Sequence, residues 1–236
     1  MTIELTEKPS KPTIIEGFPG FGFVSTIATE FLIKHLDAKK IGKLSSEKLL
    51  PVSVIHDFKV IDPIEIYFSK KENLVILRPI TQVSGAEWAI AELMEELSNK
   101  LKAKEVIGIE GLASNEKKSG VDSKVFYYTN QDDKKFKKIG VECLKDGIVM
   151  GVTGVLLSRA EKIPISCIFA EANPGLPDSR AAGAVIKVLD EYLGLKIDYK
   201  PLMKTAAEVE EKLKGLLSKI KETSEQKCDK EESYFG

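Results

Sequence analysis

The sequence is poor in the residues that most readily betray a chemistry. Cysteine occurs three times, as Cys143, Cys167 and Cys228, far apart and never as C-x-x-C, so neither a zinc site nor a disulfide framework is predicted and a reducing compartment fits. Of the two histidines, His35 falls near a helix C-terminus and His56 in or beside a strand, and neither has a partner at metal-ligand spacing. Neither sign of charge is in excess: 35 Lys and Arg stand against 36 Asp and Glu, a formal net charge of -1, which leaves no global field to recruit nucleic acid or an anionic membrane. No apolar run reaches the length of a membrane span, and Met1 to Pro12 lacks the apolar core of an export signal, so a cytoplasmic protein is expected. Ser25 is not in a G-x-S-x-G elbow, and no hydrolase nucleophile stands out.

What is present suits one large domain: 236 residues, 43% of them hydrophobic, enough to bury a substantial core. Thr13 to Glu16 reads as a short strand, Gly17-Phe18-Pro19-Gly20 as a turn, and Val24, Ile27, Ala28, Phe31 and Leu32 as the apolar face of a helix ending near Leu36. Val52 to Ile55 reads as a strand, and Ile64 to Phe68 and Leu74 to Leu77 flank a hairpin turn at Lys70-Lys71-Glu72-Asn73. A second helix follows Gly85, with Trp88, Ala91, Leu93, Met94, Leu97 and Leu101 on its buried side. Strands at Val106–Ile109, Val125–Tyr128 and Ile165–Phe169 and a helix at Ala181–Leu193 complete an alternating pattern, with a solvated helix over Asp132–Lys138. The predicted fold is α/β, a mostly parallel sheet with helices on both faces. The domain spans 1–200. A long amphipathic helix over 201–223 carries Leu202, Ala206, Val209, Leu213, Leu216, Leu217 and Ile220 on one face, and a flexible tail over 224–236 ends in Tyr234-Phe235-Gly236.

Several segments are candidate sites. Gly17-Phe18-Pro19-Gly20-Phe21-Gly22 lies between a strand and a helix, where backbone N–H groups could cradle an anion, or where a tight turn simply brings helix and strand together. Its spacing is G-x-x-G-x-G rather than G-x-G-x-x-G, and no Lys-Ser/Thr pair follows, so it matches neither dinucleotide nor P-loop signatures. Gly151-Val152-Thr153-Gly154 is a second such turn, with Thr153 a possible cap or hydroxyl contributor. Glu16, Glu110 and Glu171 fall at or near strand ends and Asp178 in a polar loop, a set that could do acid/base chemistry, although Asp178 is equally suited to cap the next helix. Tyr234 and Phe235 have no core of their own, and two rings beside a free carboxylate suit docking into a pocket on another protein.

The blocks Glu16-Gly17-Phe18-Pro19-Gly20-Phe21-Gly22-Phe23-Val24, Gly151-Val152-Thr153-Gly154-Val155-Leu156-Leu157 and Pro177-Asp178-Ser179-Arg180-Ala181-Ala182 resemble the archaeal and bacterial branch of the proteasome assembly chaperone family. That resemblance implies a phosphorylase/hydrolase-like α/β fold reused for protein binding, a homo-oligomer, no cofactor and no enzymatic activity. It also implies a hydrophobic-Tyr-X C-terminus that inserts between proteasome α subunits. Here Tyr234 takes the hydrophobic place, Phe235 the Tyr place and Gly236 the last; the hydroxyl that Phe235 lacks bears on affinity or gate opening more than on docking. Two other readings remain: a small-molecule hydrolase or phosphorylase using Glu16, Glu110, Glu171 and Asp178, and a scaffold that binds another helix through 201–223.

Overall fold

The computed structural model describes residues 2–49, 54–56, 58–80, 83–113, 123–199 and 202. Apart from Leu202, the helix expected over 201–223 and the tail with Tyr234, Phe235 and Gly236 lie outside the described residues. The described chain runs β1 (Thr2–Leu5), β2 (Thr13–Glu16), α1 (Val24–His35), β3 (Lys39–Ser45), β4 (Val54–His56), β5 (Lys59–Ile61), β6 (Ile64–Ser69), β7 (Leu74–Pro79), α2 (Glu87–Leu101), β8 (Glu105–Ala113), β9 (Val125–Thr129), α3 (Lys134–Lys138), β10 (Glu142–Cys143), α4 (Gly151–Ser158), β11 (Ile165–Ala172) and α5 (Ser179–Leu193). Nine strands form one sheet in the order β1-β3-β6-β7-β2-β8-β11-β9-β10, and β4 and β5 pair separately.

The four central strands β7, β2, β8 and β11 are parallel. β1, β3 and β6 join on one flank by antiparallel pairing, and β9 does so on the other, with β10 parallel to β9. The sheet is therefore mixed, and the expectation of a mostly parallel sheet holds only at its centre. The reason lies in connection length: Lys70 to Asn73 are too few residues for the crossover that parallel neighbours require, so β6 and β7 form a hairpin.

Alternation along the central strands sends successive side chains to two apolar layers. Ile14, Val75, Leu77, Val106, Cys167 and Phe169 meet Ile90, Met94 and Leu97 of α2 and Val152 and Leu156 of α4. Ile15, Ile76, Ile107, Ile109 and Ile168 meet Val24, Ala28 and Leu32 of α1 and Ala182, Val185 and Leu189 of α5. Helix α5 starts where the Asp178 side chain accepts the Ala181 N–H at 2.9 Å and stops at Gly194, whose φ of 73° is the left-handed value that ends helices. Helix α2 buries Ala91, Leu93, Met94, Leu97 and Leu101 as its spacing predicts, but Trp88 is exposed, a correction. Trp88 is set off from the stripe through Ile90, Met94, Leu97 and Leu101, so its apolar bulk is a poor guide to its direction.

This topology singles out one place. After β2 the chain leaves through α1 toward β3 on one flank, whereas after β8 it leaves toward β9 on the other. The parallel neighbours β2 and β8 thus diverge at their carboxyl ends, the switch point at which open α/β sheets form crevices.

Candidate functional site

Glu16 is the last residue of β2 and is fully buried. Its register partner on β8 is Gly108, and Glu110, two residues on, faces the same way and is largely buried. Helix α4 lies over both, and Thr153 Oγ1 is 2.6 Å from Glu16 Oε1 and 2.6 Å from Glu110 Oε1. A hydroxyl has one hydrogen. It donates to one carboxylate and accepts from the other acid, so the geometry is satisfied only when Glu16 and Glu110 together hold at least one proton. Among the described residues no Lys or Arg pairs with either acid.

The electrostatics agree. Burial raises Glu16 well above the ordinary carboxylate range, partly offset by the Thr153 hydroxyl and by the Phe18 N–H, which donates to Oε2 at 3.3 Å. Burial raises Glu110 too, and the nearby charge of Glu16 raises it further. Because only Glu16 has the added backbone donor, it is the better holder of the negative charge and Glu110 of the proton. Burial and the same two acids push the Cys167 thiol up as well, so it packs as an apolar group rather than as a nucleophile.

Two glycines make room for this pair. A Cβ on Gly108 would stand 2.8 Å from Glu16 Oε1 and 2.9 Å from Thr153 Cγ2, and one on Gly20 would stand 2.8 Å from Glu110 Oε2. The remaining candidates distribute around them. Gly17 packs against Thr29 and the Ser25 carbonyl of α1, Phe18 is buried with its carbonyl accepting the Ser25 hydroxyl at 2.5 Å, and Pro19 is half-buried. Gly22 lies against Ala172 and Asp178 at a φ of 64°, and its carbonyl accepts the Asp178 N–H at 2.8 Å. Gly151 opens α4, and Gly154 fits under the Val149 carbonyl.

Asp178 divides its carboxylate between the Ala181 N–H and the Asn173 N–H at 3.1 Å, which makes it the clasp of the loop after β11. Glu171 sits within β11 opposite Leu112 of β8. The structure thus joins Glu16, Glu110 and Thr153 directly through hydrogen bonds and employs Asp178 in building the loop. A cavity of about 350 Å³ lies elsewhere, along α5 and the segment before β10, with Arg180 and Lys187 in its wall. Among the described residues no group of three or more His, Cys, Asp or Glu gathers as a metal ion requires. No helix among them is long and apolar enough to cross a membrane.

Sequence reasoning missed the hydrophobic character of this end of the molecule. Phe21 and Phe23 of the first turn, Trp88 at the start of α2, and Ile148 and Met150 ahead of α4 are all exposed. The last two flank Val149 in the short apolar run Ile148-Val149-Met150, which by residue type reads as core, although only Val149 packs against it.

The PAC2 family model matches residues 14–217. The structure is similar to that of Pyrococcus furiosus PbaA, described as an archaeal homolog of proteasome-assembly chaperone, with 29% identity and a TM-score of 0.79 over 94% of this chain and 99% of that one. It is also similar to Pyrococcus furiosus PbaB, described as an archaeal proteasome activator, with 27% identity and a TM-score of 0.78 over 91% of this chain and 98% of that one. An uncharacterised protein of Methanocaldococcus jannaschii is 27% identical over 208 residues, 87% of this chain and 85% of that relative.

Proposed function

The chain belongs to the PAC2 family, and from that premise we propose that it is a proteasome assembly chaperone or activator-like factor, cytoplasmic and without enzymatic activity, that works by binding proteasome α subunits. The observation that carries this reading is likeness along almost the whole chain to both PbaA and PbaB. The docking element is Tyr234-Phe235-Gly236. Its two rings bury apolar area in a pocket between α subunits, and its carboxylate pairs with a Lys or Arg there. One such arm binds weakly; a homo-oligomer carries several, and each engaged arm raises the effective concentration of the others.

Co-sedimentation with proteasome α rings tests the reading. The full chain is expected to co-sediment, and a chain lacking residues 234–236 to remain in solution with its oligomeric state unchanged. Equal binding by the shortened chain overturns the tail mechanism, and no binding by the full chain overturns the proteasome assignment.

One observation favours a second reading, a small-molecule hydrolase or phosphorylase on a phosphorylase/hydrolase-like sheet: the proton-sharing Glu16–Thr153–Glu110 group at the switch point between β2 and β8. A ligand of the native state raises its melting temperature, so a panel of nucleosides and phosphates separates the two. No shift across the panel is the outcome expected of the chaperone.

A further inference from the structure

Nine large hydrophobic side chains are exposed among the described residues, and eight belong to one edge of the sheet. Phe21 and Phe23 follow β2, and Trp88 follows β7, at the carboxyl ends of the parallel strands. Ile148 and Met150 precede the end of α4 that lies on Glu16 and Glu110. The β4–β5 hairpin springs from the same edge, because Leu44 of β3 is opposite Ile64 of β6 and Ile64 is opposite Pro79 of β7. Within that hairpin Ile55 is 73% and Val60 71% exposed; they are register partners and therefore share one face. Phe58, in the turn, is 104% exposed. Tyr128, in the middle of β9 opposite Cys167, is the ninth.

We propose that this carboxyl edge, anchored by the Ile55–Phe58–Val60 hairpin, is the surface on which copies of this chain associate with one another. Area is the first argument. An aromatic side chain has about 150–250 Å² to bury, and the eight side chains, scaled by their exposure, offer roughly 1,000 Å² between them. The largest apolar patch of an ordinary monomer is about 300–600 Å², whereas one side of a stable protein–protein interface is about 800 Å². The second is backbone conformation. Phe58 has a φ of 61° and Phe23 one of 49°, left-handed values that disfavour bulky side chains. Glycine or asparagine would suit the hairpin turn better, and Phe58 recovers little of the strain within its own subunit because its side chain is fully exposed. A two-stranded ribbon outside the main sheet is also marginal until something covers it.

Charge favours a second copy as the occupant. A formal net charge of -1 leaves almost no long-range repulsion between identical chains. The inference deepens the multi-armed reading above by naming the face that gathers the arms.

Sedimentation velocity of the full chain tests it, with Ile55→Asp/Phe58→Asp and Trp88→Asp/Met150→Asp as edge variants and Tyr128→Asp as control. The wild type and the control are expected to sediment as one oligomer, and both edge variants to shift toward the monomer with at least a 100-fold weaker self-association. Phe58→Asn guards against simple misfolding: it relieves the turn, so it is expected to keep or raise the melting temperature while weakening assembly. A monomeric wild type, or edge variants that assemble like it, overturns the proposal; in the first case another protein covers the edge. The monomeric variants are then presented to proteasome α rings. Weak capture that depends on residues 234–236 upholds tail docking whatever the fate of the edge, while loss of capture by an intact oligomer defeats tail docking and leaves the edge assignment standing.

Discussion

The two faces of the sheet each bury a carboxylate, and they keep it in opposite ways. On the α1 side Glu65 of β6 is only 5% exposed, yet Arg78 Nη2 and Lys40 Nζ lie 2.5 Å from its two oxygens and the Tyr67 hydroxyl donates at 2.8 Å. Arg78 is shared with Glu30 of α1 at 3.1 Å and sits 5.1 Å from the Tyr67 ring. Burial, then the hydrogen bond to Glu65, pushes the Tyr67 hydroxyl up to about 12, so it remains a donor. On the α4 side Glu16 and Glu110 have no cation among the described residues, only each other, one shared hydroxyl and, for Glu16, the Phe18 N–H. A buried negative charge must be matched by a positive group or removed by a proton. The flank of the sheet uses the first solution and the switch point the second.

Breaking the cationic solution is expected to have the largest effect. Arg78→Ala leaves Glu65 buried with Lys40 and the Tyr67 hydroxyl but without its guanidinium, and deprives Glu30 of a partner, and it should lower unfolding stability in urea by about 3 kcal/mol. A loss of only a few tenths would mean that water reaches Glu65 and that the flank is less dry than its geometry indicates. Thr153→Val comes next: it keeps the shape in the core but removes the hydroxyl that both acids use, for a loss of about 2 kcal/mol. Thr153→Ser, which restores the hydroxyl, should recover most of that. If serine is as damaging as valine, methyl packing rather than proton sharing is what Thr153 contributes.

Much of the frame was legible because period and punctuation agreed. The strand–turn–helix from Thr13 to His35, the hairpin at Lys70 to Asn73 and the helix that Asp178 starts all emerge where spacing and turn residues point together. β1 and β3 were not legible. Thr2 to Leu5 and Lys39 to Ser45 are flank strands with exposed polar positions, and β3 buries only Ile41 and Leu44, too few for a clear alternation. At the site, the positions of Glu16 and Glu110 at strand ends could be read from the chain. That Thr153 comes between them could not, since it depends on the Glu16–Gly108 register and on which face α4 covers. The exposure of Trp88 and of the Phe58 turn was hidden for a related reason: residue type predicts burial only when the direction of the side chain is known.

The smallest effect is the most discriminating. Glu110→Gln removes one ionisable group but keeps a hydrogen-bonding side chain of nearly the same shape, so at mildly acidic pH it should change stability by less than about 1 kcal/mol. Its consequence is in the pH dependence. In the folded chain both acids are raised above the ordinary value of 4.5, so the native state keeps a proton that the unfolded chain releases near that pH. The native state then binds more protons than the unfolded one, and stability must fall as pH rises from 4.5 through the raised values, with a limiting slope of about 1.4 kcal/mol per pH unit for each proton. Below 4.5 both states hold the proton and this contribution is complete. In Glu110→Gln the amide donates to Thr153 or accepts from it without a proton to lose, and Glu16 alone, with the Phe18 N–H, has less reason to stay protonated. The slope between mildly acidic and mildly alkaline pH should therefore flatten, while Arg78→Ala, acting on the other face, should leave it in place. Urea titrations at several pH values compare the three chains directly, and a wild-type stability that does not decline across that range would mean that the two acids share no proton in the native state.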